Sequence, residues 1–483
     1  MNEASCALLA ERYPRVAFGT SGVRALVADL SAEAVSAYVF AFMRRMRECH
    51  PAHDGAAVAV GMDLRPSSPA IASAVCGALQ ALGYRAGFLG ALPTPALALR
   101  CLSAGMPGVM VTGSHIPFDR NGIKFYSPVG EILKADEQAI MSCPIPAEGL
   151  GKLPALPLLP PVDVTATEAY VRRYVDHFGA QCLAGLRVGL YEHSAVGRDV
   201  TKSVLVQLGA EVVSLGRSDD FVPVDTEAVG EADLDQARAW CSAHRLDAVV
   251  STDGDGDRPL VFDENGGFVR GDLLGLLCAR ELGIQRLAVP VSCNTAIEQC
   301  GAFGQVVRTR IGSPFVIAGM NDLNRQAAGP VAGFEANGGF LLGAAVAGLI
   351  ALPTRDALLP MLSLLARAAM ERHSISALLA ELPERHTCSD RIKAFPNEKS
   401  RDFLERLASD EGTQCAVAGK TTRPLSVDIT DGVRLTFADG DIVHLRASGN
   451  APELRCYAEA ANLEDAKSLC MGALGNASLI RAI

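Results

Sequence analysis

The sequence contains no CxxC pair and no cluster of His and Cys. Its 14 cysteines are scattered singly, which leaves no disulfide or metal-thiolate framework and points to a reduced protein. The opening MNEASCALLAERYP lacks the basic, then apolar, then small-residue order of a secretory signal, so a cytoplasmic location is expected. Positive charge is also short: 44 Lys and Arg stand against 54 Asp and Glu, a net charge of -10. That balance argues against non-specific nucleic-acid binding while leaving room for a local basic cleft. No apolar run reaches the ~20 residues a membrane span needs. The longest, Phe340 to Leu352, contains several Gly and Ala, stops at Pro353, and is expected to be buried core. Neither nucleic acid nor a membrane is an expected partner.

With 483 residues the chain is too long for a single core, and domains of roughly 100 to 150 residues suggest three or four. Self-similarity orders them. LGYRAGFLG from Leu82, LGAEVVSLG from Leu208 and FGQVVRTRIG from Phe303 are apolar strands entered through Gly. Each is followed by a second strand, within GVMVTGSHI from Gly108, DAVVSTDGDGD from Asp247 and GPVAGFEANGG from Gly329. Helical segments at Ile71 to Leu82, Asp199 to Leu208 and Ala296 to Phe303 precede the first strand of each pair, so the units read as α/β layers. The Pro-rich LGKLPALPLLPPVDV, residues 150 to 164, reads as a linker. A helix is expected from Thr354 to about His373, followed by a hairpin, Val433 to Phe437 and Ile442 to Arg446, around an Asp-Gly turn. The expectation is three similar α/β/α domains, 1–155, 156–262 and 263–375, and a smaller α+β domain, 376–483, around a central cleft.

In such sheets ligands gather beyond the carboxyl ends of the strands, and there each unit carries its least ordinary loop. In VTGSHIPFDRNGIKFY, residues 111 to 126, a strand runs into a turn that can expose the hydroxyl of Ser114, with the His115 imidazole beside it. Asn121-Gly122 is a turn signal that can fold Lys124 back. In the second unit Asp253, Asp255 and Asp257 alternate with Gly, and three converging carboxylates need a cation between them. All-oxygen ligation favours one magnesium ion. An EF-hand is a poor rival because Arg258 stands where that loop requires Gly. A haloacid-dehalogenase-like nucleophile loop would want Thr or Val near Asp257 and usually sits early in its domain.

The third unit offers Glu335 and Asn337 on a Gly-rich turn suited to vicinal hydroxyls, with Arg310 and Gly312 upstream as phosphate holders. Near the amino terminus FGTSGVR ends in Arg24. In the last domain Arg446, Ser448, Gly449, Asn450 and Arg455 form a guanidinium and main-chain nest for a phosphate dianion.

Five loops in this order, FGTSGVR, the Ser114 loop, DGDGDR, GFEANGGF and RASGNAPELR, resemble the α-D-phosphohexomutase superfamily, and within it the bacterial phosphomannomutases, over nearly the whole chain. The resemblance implies a resting enzyme phosphorylated on Ser114, and magnesium held by the three Asp and that phosphate. It also implies Lys124 as general acid/base, with His115 and Arg24 beside it, and a carboxy-terminal loop on the substrate phosphate. Arg258 and Arg310 are further candidates for phosphate or hydroxyl contacts. The implied reaction interconverts mannose 6-phosphate and mannose 1-phosphate through a hexose 1,6-bisphosphate, which is intermediate or activator. A phosphoglucomutase or dual-specificity phosphohexomutase is the alternative, and a non-catalytic sugar-phosphate sensor a third reading that intact Ser114, Lys124 and the three Asp oppose. A hexose phosphate is the expected ligand, and a monomer or weak homodimer the expected assembly. The sequence departs from the common TASHNP pattern at Gly113 and Ile116. Asn337 stands where Ser is usual, and GFEANGGF favours mannose.

Overall fold

The computed structural model describes residues 6–19, 22–53, 57–146, 158–227, 229–448 and 452–480. Three sheets share one plan. In each, an inner strand (Val58–Met62, Arg187–Tyr191 or Arg286–Pro290) lies between the two strands of the repeated pair, parallel to both. The pairs are Ala86–Ala91 with Gly108–Val111, Glu211–Leu215 with Ala248–Thr252, and Gln305–Thr309 with Val331–Phe334. Parallel strands covered on both faces must be apolar throughout, and Gly108–Val111, Ala248–Thr252 and Val331–Phe334 are buried at every position.

Each sheet then turns back. The last parallel strand of each unit pairs with an antiparallel one: Arg120–Ser127, Pro259–Phe262 or Phe340–Leu342. The Ser114 loop, the Asp253–Asp257 loop and the Glu335–Asn337 loop therefore occupy one topological position in three successive copies, at the carboxyl end of the last parallel strand.

The fourth sheet is antiparallel throughout, in the order His386–Lys393, Glu453–Ala460, Ile442–Ala447, Val433–Thr436, Ser426–Asp428. The expected hairpin is there, with Thr436 opposite Ile442 and Gly440 at φ 86° in its turn. Helix Leu463–Ile480 packs on this sheet. No disulfide forms among the described cysteines, and no described helix is long and apolar enough to cross a membrane.

Several expectations need correction. Asn121-Gly122 is no turn: both lie inside the strand Arg120–Ser127, where the Asn121 amide donates to Ser67 and Ser68 and its oxygen accepts from the Gly122 N–H. The third helix of the repeat is a single turn, Ala296–Gln299. The run Phe340 to Leu352 is core only at its ends: Phe340, Leu341, Leu342, Leu349 and Leu352 are buried, whereas Ala345, Ala347 and Ile350 face solvent, with Ile350 53% exposed. Small residues between the apolar ends let the chain loop out. The stretch from Thr354 opens as the edge strand Leu352–Asp356, and its helix begins at Leu358. The second sheet includes Phe268–Val269, paired with Val261 and Phe262, so a division at 262 falls inside it.

Candidate active site

The Ser114 loop is held from beneath. Asp63 and Arg65 follow the inner strand Val58–Met62 and are both buried. The Arg65 guanidinium donates to the carbonyls of Ser114, Ile116, Pro117 and Arg120 at 2.5 to 2.9 Å. Asp63 accepts from the Thr112 hydroxyl at 2.8 Å and the Gly113 N–H at 3.2 Å, and lies 3.3 Å from Arg65 Nε. Ser114 itself sits at φ 53°, a left-handed conformation that costs a non-glycine residue energy unless its surroundings impose it. The four carbonyl contacts do so.

Ser114 Oγ donates to Asp253 Oδ2 at 2.6 Å, which joins the first unit to the second. Asp253, Asp255 and Asp257 are buried, and one carboxylate oxygen from each lies within 4.8 Å of the other two. Gly256, at φ 73° and packed against Pro93, lets the loop reverse between them. Lys124 Nζ lies 2.6 Å from both Asp255 Oδ2 and Asp257 Oδ2. The Thr94 hydroxyl gives Asp255 Oδ2 a second hydrogen bond at 2.6 Å. Arg355 covers Asp257 Oδ2 through Nε at 3.1 Å and Nη2 at 2.9 Å, and reaches Glu335 Oε2 through Nη1 at 3.0 Å.

The result is an ordered set of oxygens. Every side-chain hydrogen bond to Asp255 and Asp257 falls on Oδ2, leaving both Oδ1 atoms buried without a hydrogen bond, though Arg258 Nε lies 3.7 Å from Asp257 Oδ1. Two orphaned carboxylate oxygens beside a third carboxylate are a donor set suited to a hard divalent cation. Magnesium fits these residues.

Electrostatics separates the three acids. Burial raises Asp253, and Asp255 and Asp257 raise it further. For Asp255 burial pushes up, but the Lys124 ammonium and the Thr94 hydroxyl outweigh it and the net shift is down. Burial likewise opposes Asp257, which Arg355 and Lys124 bring down. His115 is pushed to about 2 by burial and by Arg258 and Arg24, and is neutral. Its Nδ1 accepts from Arg258 Nη1 at 2.9 Å, placing the ring proton on Nε2. Arg24 donates to the Thr112 carbonyl at 2.7 Å, and burial lowers it to about 10.

The remaining predicted residues divide. Glu335 and Asn337 are buried at the end of the strand Val331–Phe334. Asn337 Oδ1 accepts from the Gly339 N–H at 3.0 Å, shaping its own turn, and the Asn337 carbonyl accepts from Thr226 of the second unit at 3.2 Å. Arg310 is exposed and lies over the Phe315 ring, and Gly312 caps helix Ser313–Gln326 at φ 128°. Between them the Ile311 N–H donates to Asp431 at 2.9 Å, and Asp431 pairs with Arg446 at 3.3 Å. Arg455 lies 3.4 Å from Glu453, whose carbonyl accepts from the buried Ser448 N–H. Gly449 and Asn450 lie outside the described residues. The protein around the exposed Glu227 raises its carboxyl by desolvation, Arg258 and Arg455 oppose that, and Asp225 and Glu335 add to it. Charges of the second, third and fourth units thus act on one carboxylate.

Comparison with known proteins decides the family. Profiles described as phosphoglucomutase/phosphomannomutase α/β/α domains I, II and III match residues 15–144, 169–267 and 270–386, and that of the C-terminal domain matches 396–473. The chain belongs to the phosphoglucomutase/phosphomannomutase family. It is 46% identical over 464 residues to a phosphomannomutase of Salmonella muenchen, covering 95% of each chain. It is 42% identical over 471 residues to a phosphomannomutase of Sinorhizobium fredii, covering 96% of this chain and 99% of the relative. Its fold matches that of a phosphoglucomutase/phosphomannomutase family protein of Burkholderia thailandensis, with TM-score 0.75, 22% identity and coverage of 95% and 97%. Like its family, the protein is an isomerase that transfers a phosphoryl group within a hexose phosphate.

Family membership sharpens the meaning of Gly113. A Cβ at this position would stand 2.4 Å from Arg65 Cζ and Nε, so the usual Ala cannot coexist with this arginine where it lies. Gly113 makes room for the brace. Arg65, Asp63, Thr94 and Arg355 escaped the sequence reading. The available signal was a polar cluster, Asp63-Leu64-Arg65 or Thr354-Arg355-Asp356, set directly against an apolar strand or helix.

Proposed function

We propose that the protein is a phosphomannomutase, interconverting mannose 6-phosphate and mannose 1-phosphate through phosphoserine 114 and a hexose 1,6-bisphosphate. The observation that carries this reading is Ser114 Oγ against Asp253 within the three-carboxylate cluster, on a chain similar to relatives named phosphomannomutase. The Ser114 Oγ–P bond breaks as a P–O bond forms to the free sugar hydroxyl, whose proton must reach the Ser114 oxygen. Lys124, between two carboxylates beside the loop, carries that proton. The bisphosphate turns over, and the opposite phosphate returns to Ser114. Arg446, Ser448 and Arg455 hold the non-reacting phosphate, with Gly449 and Asn450, and Arg310 and Gly312 border that end. Glu335 receives sugar hydroxyls, Asn337 shapes the loop that does so, and Arg258 and Arg24 face the transferring group.

Asp253, Asp255 and Asp257 would hold one magnesium ion, which spreads the charge developing on the transferring phosphoryl group. Charge counting supports cation and phosphate together. Asp253, Asp255, Asp257 and Glu335 balance Lys124, Arg355, Arg258 and Arg24, so a divalent cation and a phosphate dianion leave that balance unchanged, whereas either alone shifts it by two charges.

Mannose 1-phosphate as product suits a cytoplasmic enzyme serving GDP-mannose biosynthesis, acting as a monomer or weak homodimer. The domains are proposed at 1–155, 156–269, 270–375 and 376–483, the second division moved from 262 to 269 to keep the pairing of Pro259–Phe262 with Phe268–Val269 whole. The test is intact-protein mass as purified, with and without phosphatase, beside Ser114→Ala. One phosphoryl group lost on treatment and missing from Ser114→Ala, with turnover abolished in that variant, is expected. Substantial turnover in Ser114→Ala free of wild-type enzyme rules the reading out. Comparing kcat/KM for mannose 1-phosphate and glucose 1-phosphate settles the preferred sugar.

A further inference from the structure

Three consecutive residues of the edge strand Leu352–Asp356 reach three separate places. The Thr354 hydroxyl donates to Glu131 of the first unit, whose other oxygen accepts from Ser313 at 3.1 Å. Asp356 accepts from Tyr170 at 2.7 Å and from Tyr174, both on helix Thr165–Phe178. Between them Arg355, 2% exposed, spans from Asp257 to Glu335. Backbone on one side and these two neighbours on the other fix where its guanidinium can lie.

A guanidinium is a rigid plane, so its two edges move together. One edge, Nε and Nη2, is committed to Asp257 Oδ2, and Nη1 to Glu335 Oε2. On each carboxylate this leaves the other oxygen. Asp257 Oδ1 is buried and makes no hydrogen bond, with Arg258 Nε 3.7 Å away, and Glu335 Oε1 makes no hydrogen bond among the described residues. Thr94 turns Asp255 in the same sense but touches nothing in the sugar loop. Among the described residues, only Arg355 hydrogen-bonds both an aspartate of the cluster and Glu335 of the sugar loop.

We propose that Arg355 is a positioning residue that couples the two subsites, so that a divalent cation on the aspartates and a hexose phosphate on Glu335 each raise affinity for the other. This rests on the roles given above to Asp257 and Glu335. Linkage makes the effect reciprocal: the factor by which sugar phosphate tightens cation binding equals the factor in the other direction. A movement of Glu335 onto substrate is carried across the plane to Asp257, and the reverse.

The choice of variant follows from the sign of the charge. Arg355→Met removes a cation beside the aspartates, which by Coulomb's law favours magnesium while orientation is lost, so the two effects oppose. Arg355→Lys keeps the charge and loses the fork, isolating orientation. The experiment titrates magnesium calorimetrically into dephosphorylated full-length protein, with and without saturating mannose 1-phosphate, and records thermal midpoints. In wild type, sugar phosphate is expected to tighten magnesium binding about fivefold or more, the usual scale of coupled sites. In Arg355→Lys magnesium alone weakens about tenfold, as expected for a lost charge-assisted bond, and the coupling factor falls to about one. Glu335→Gln, which removes the far end and leaves the aspartates alone, keeps magnesium affinity within about twofold and also loses the coupling. It decides the matter if Arg355→Lys does not fold. Coupling that survives in either folded variant overturns the proposal. Wild type that binds both ligands independently overturns it alone, whereas wild type that binds no magnesium overturns the functional reading with it.

Discussion

The Ser114 loop and the Arg446–Arg455 loop handle the two ends of one substrate in the proposed reaction, and they are built in opposite ways. The first is overdetermined: a left-handed serine, a buried arginine on four carbonyls, and a buried aspartate beneath. The second keeps its cations loosely committed. Arg446 and Arg455 meet carboxylates at 3.3 and 3.4 Å, and the Nε of each is without a hydrogen bond. Where a bond is broken, geometry must be correct before the substrate arrives. Where a phosphate is only recognised, cations held without tight partners can turn to it at little cost. Substitutions on the first side should therefore reduce kcat, and those on the second should raise KM.

The sharpest way to break this contrast is Gly113→Ala. Its methyl meets the Arg65 guanidinium, and overpacking a tight site costs about 1 to 3 kcal/mol. Expressed in loop geometry, that predicts kcat down roughly a hundredfold with KM within about threefold, measured by steady-state kinetics. A wild-type kcat would show that the brace is dispensable.

Next comes Arg446→Ala. Each phosphate must occupy the distal nest while the other faces Ser114, so kcat/KM should fall about tenfold for the 1-phosphate and the 6-phosphate alike, chiefly through KM. A loss confined to one substrate would mean that the two ends do not exchange places in a shared nest.

Asn337→Ser sharpens the comparison from a third side, since Asn337 shapes its turn through the Gly339 N–H. The ratio of kcat/KM for the mannose and glucose substrates should shift by about three- to tenfold, within the scale of one neutral hydrogen bond. An unchanged ratio assigns sugar preference elsewhere.

The smallest effect concerns acid. Burial lowers His193 in the second unit and His444 in the fourth to about 4. Free histidine titrates near 6.5, so the unfolded chain binds more protons between these values. Their contribution is fully present above about pH 6.5 and is lost as pH falls toward 4. Thermal midpoints recorded from pH 7 to 4 should decline through that window, and less steeply in His444→Gln. The buried Asp63 and Asp356, both raised by burial, act in the opposite sense and soften the decline.

Much of this arrangement was legible in the sequence because the informative residues are neighbours along the chain. Ser114 with His115, or Asp253 with Asp255 and Asp257, declare themselves through spacing, and three strand pairs repeat with the same order. The residues that escaped work at long range. Arg65 is a cation after a strand until its four carbonyls arrive from the loop beyond Gly113, and Arg355 is one charge beside an apolar helix until folding sets it on Asp257. Asn121-Gly122 misled for the same reason: a local turn preference lost to strand pairing with Val23 to Leu26. The run after Phe340 misled because hydrophobicity alone does not distinguish a packed strand from a loop of small residues.

The bridge from Arg355 to Asp257 spans 98 positions of sequence, whereas Lys124 precedes Asp257 by 133. A chain emerging amino terminus first at about 5 to 20 residues per second presents the aspartate loop with its lysine already made and its arginine still unmade for roughly 5 to 20 s. During that interval the loop carries more negative charge than it will in the finished molecule, and Glu335, 20 positions before Arg355, is made only about 1 to 4 s before the arginine. The order of synthesis thus leaves a time when a divalent cation would meet these carboxylates without the guanidinium beside them.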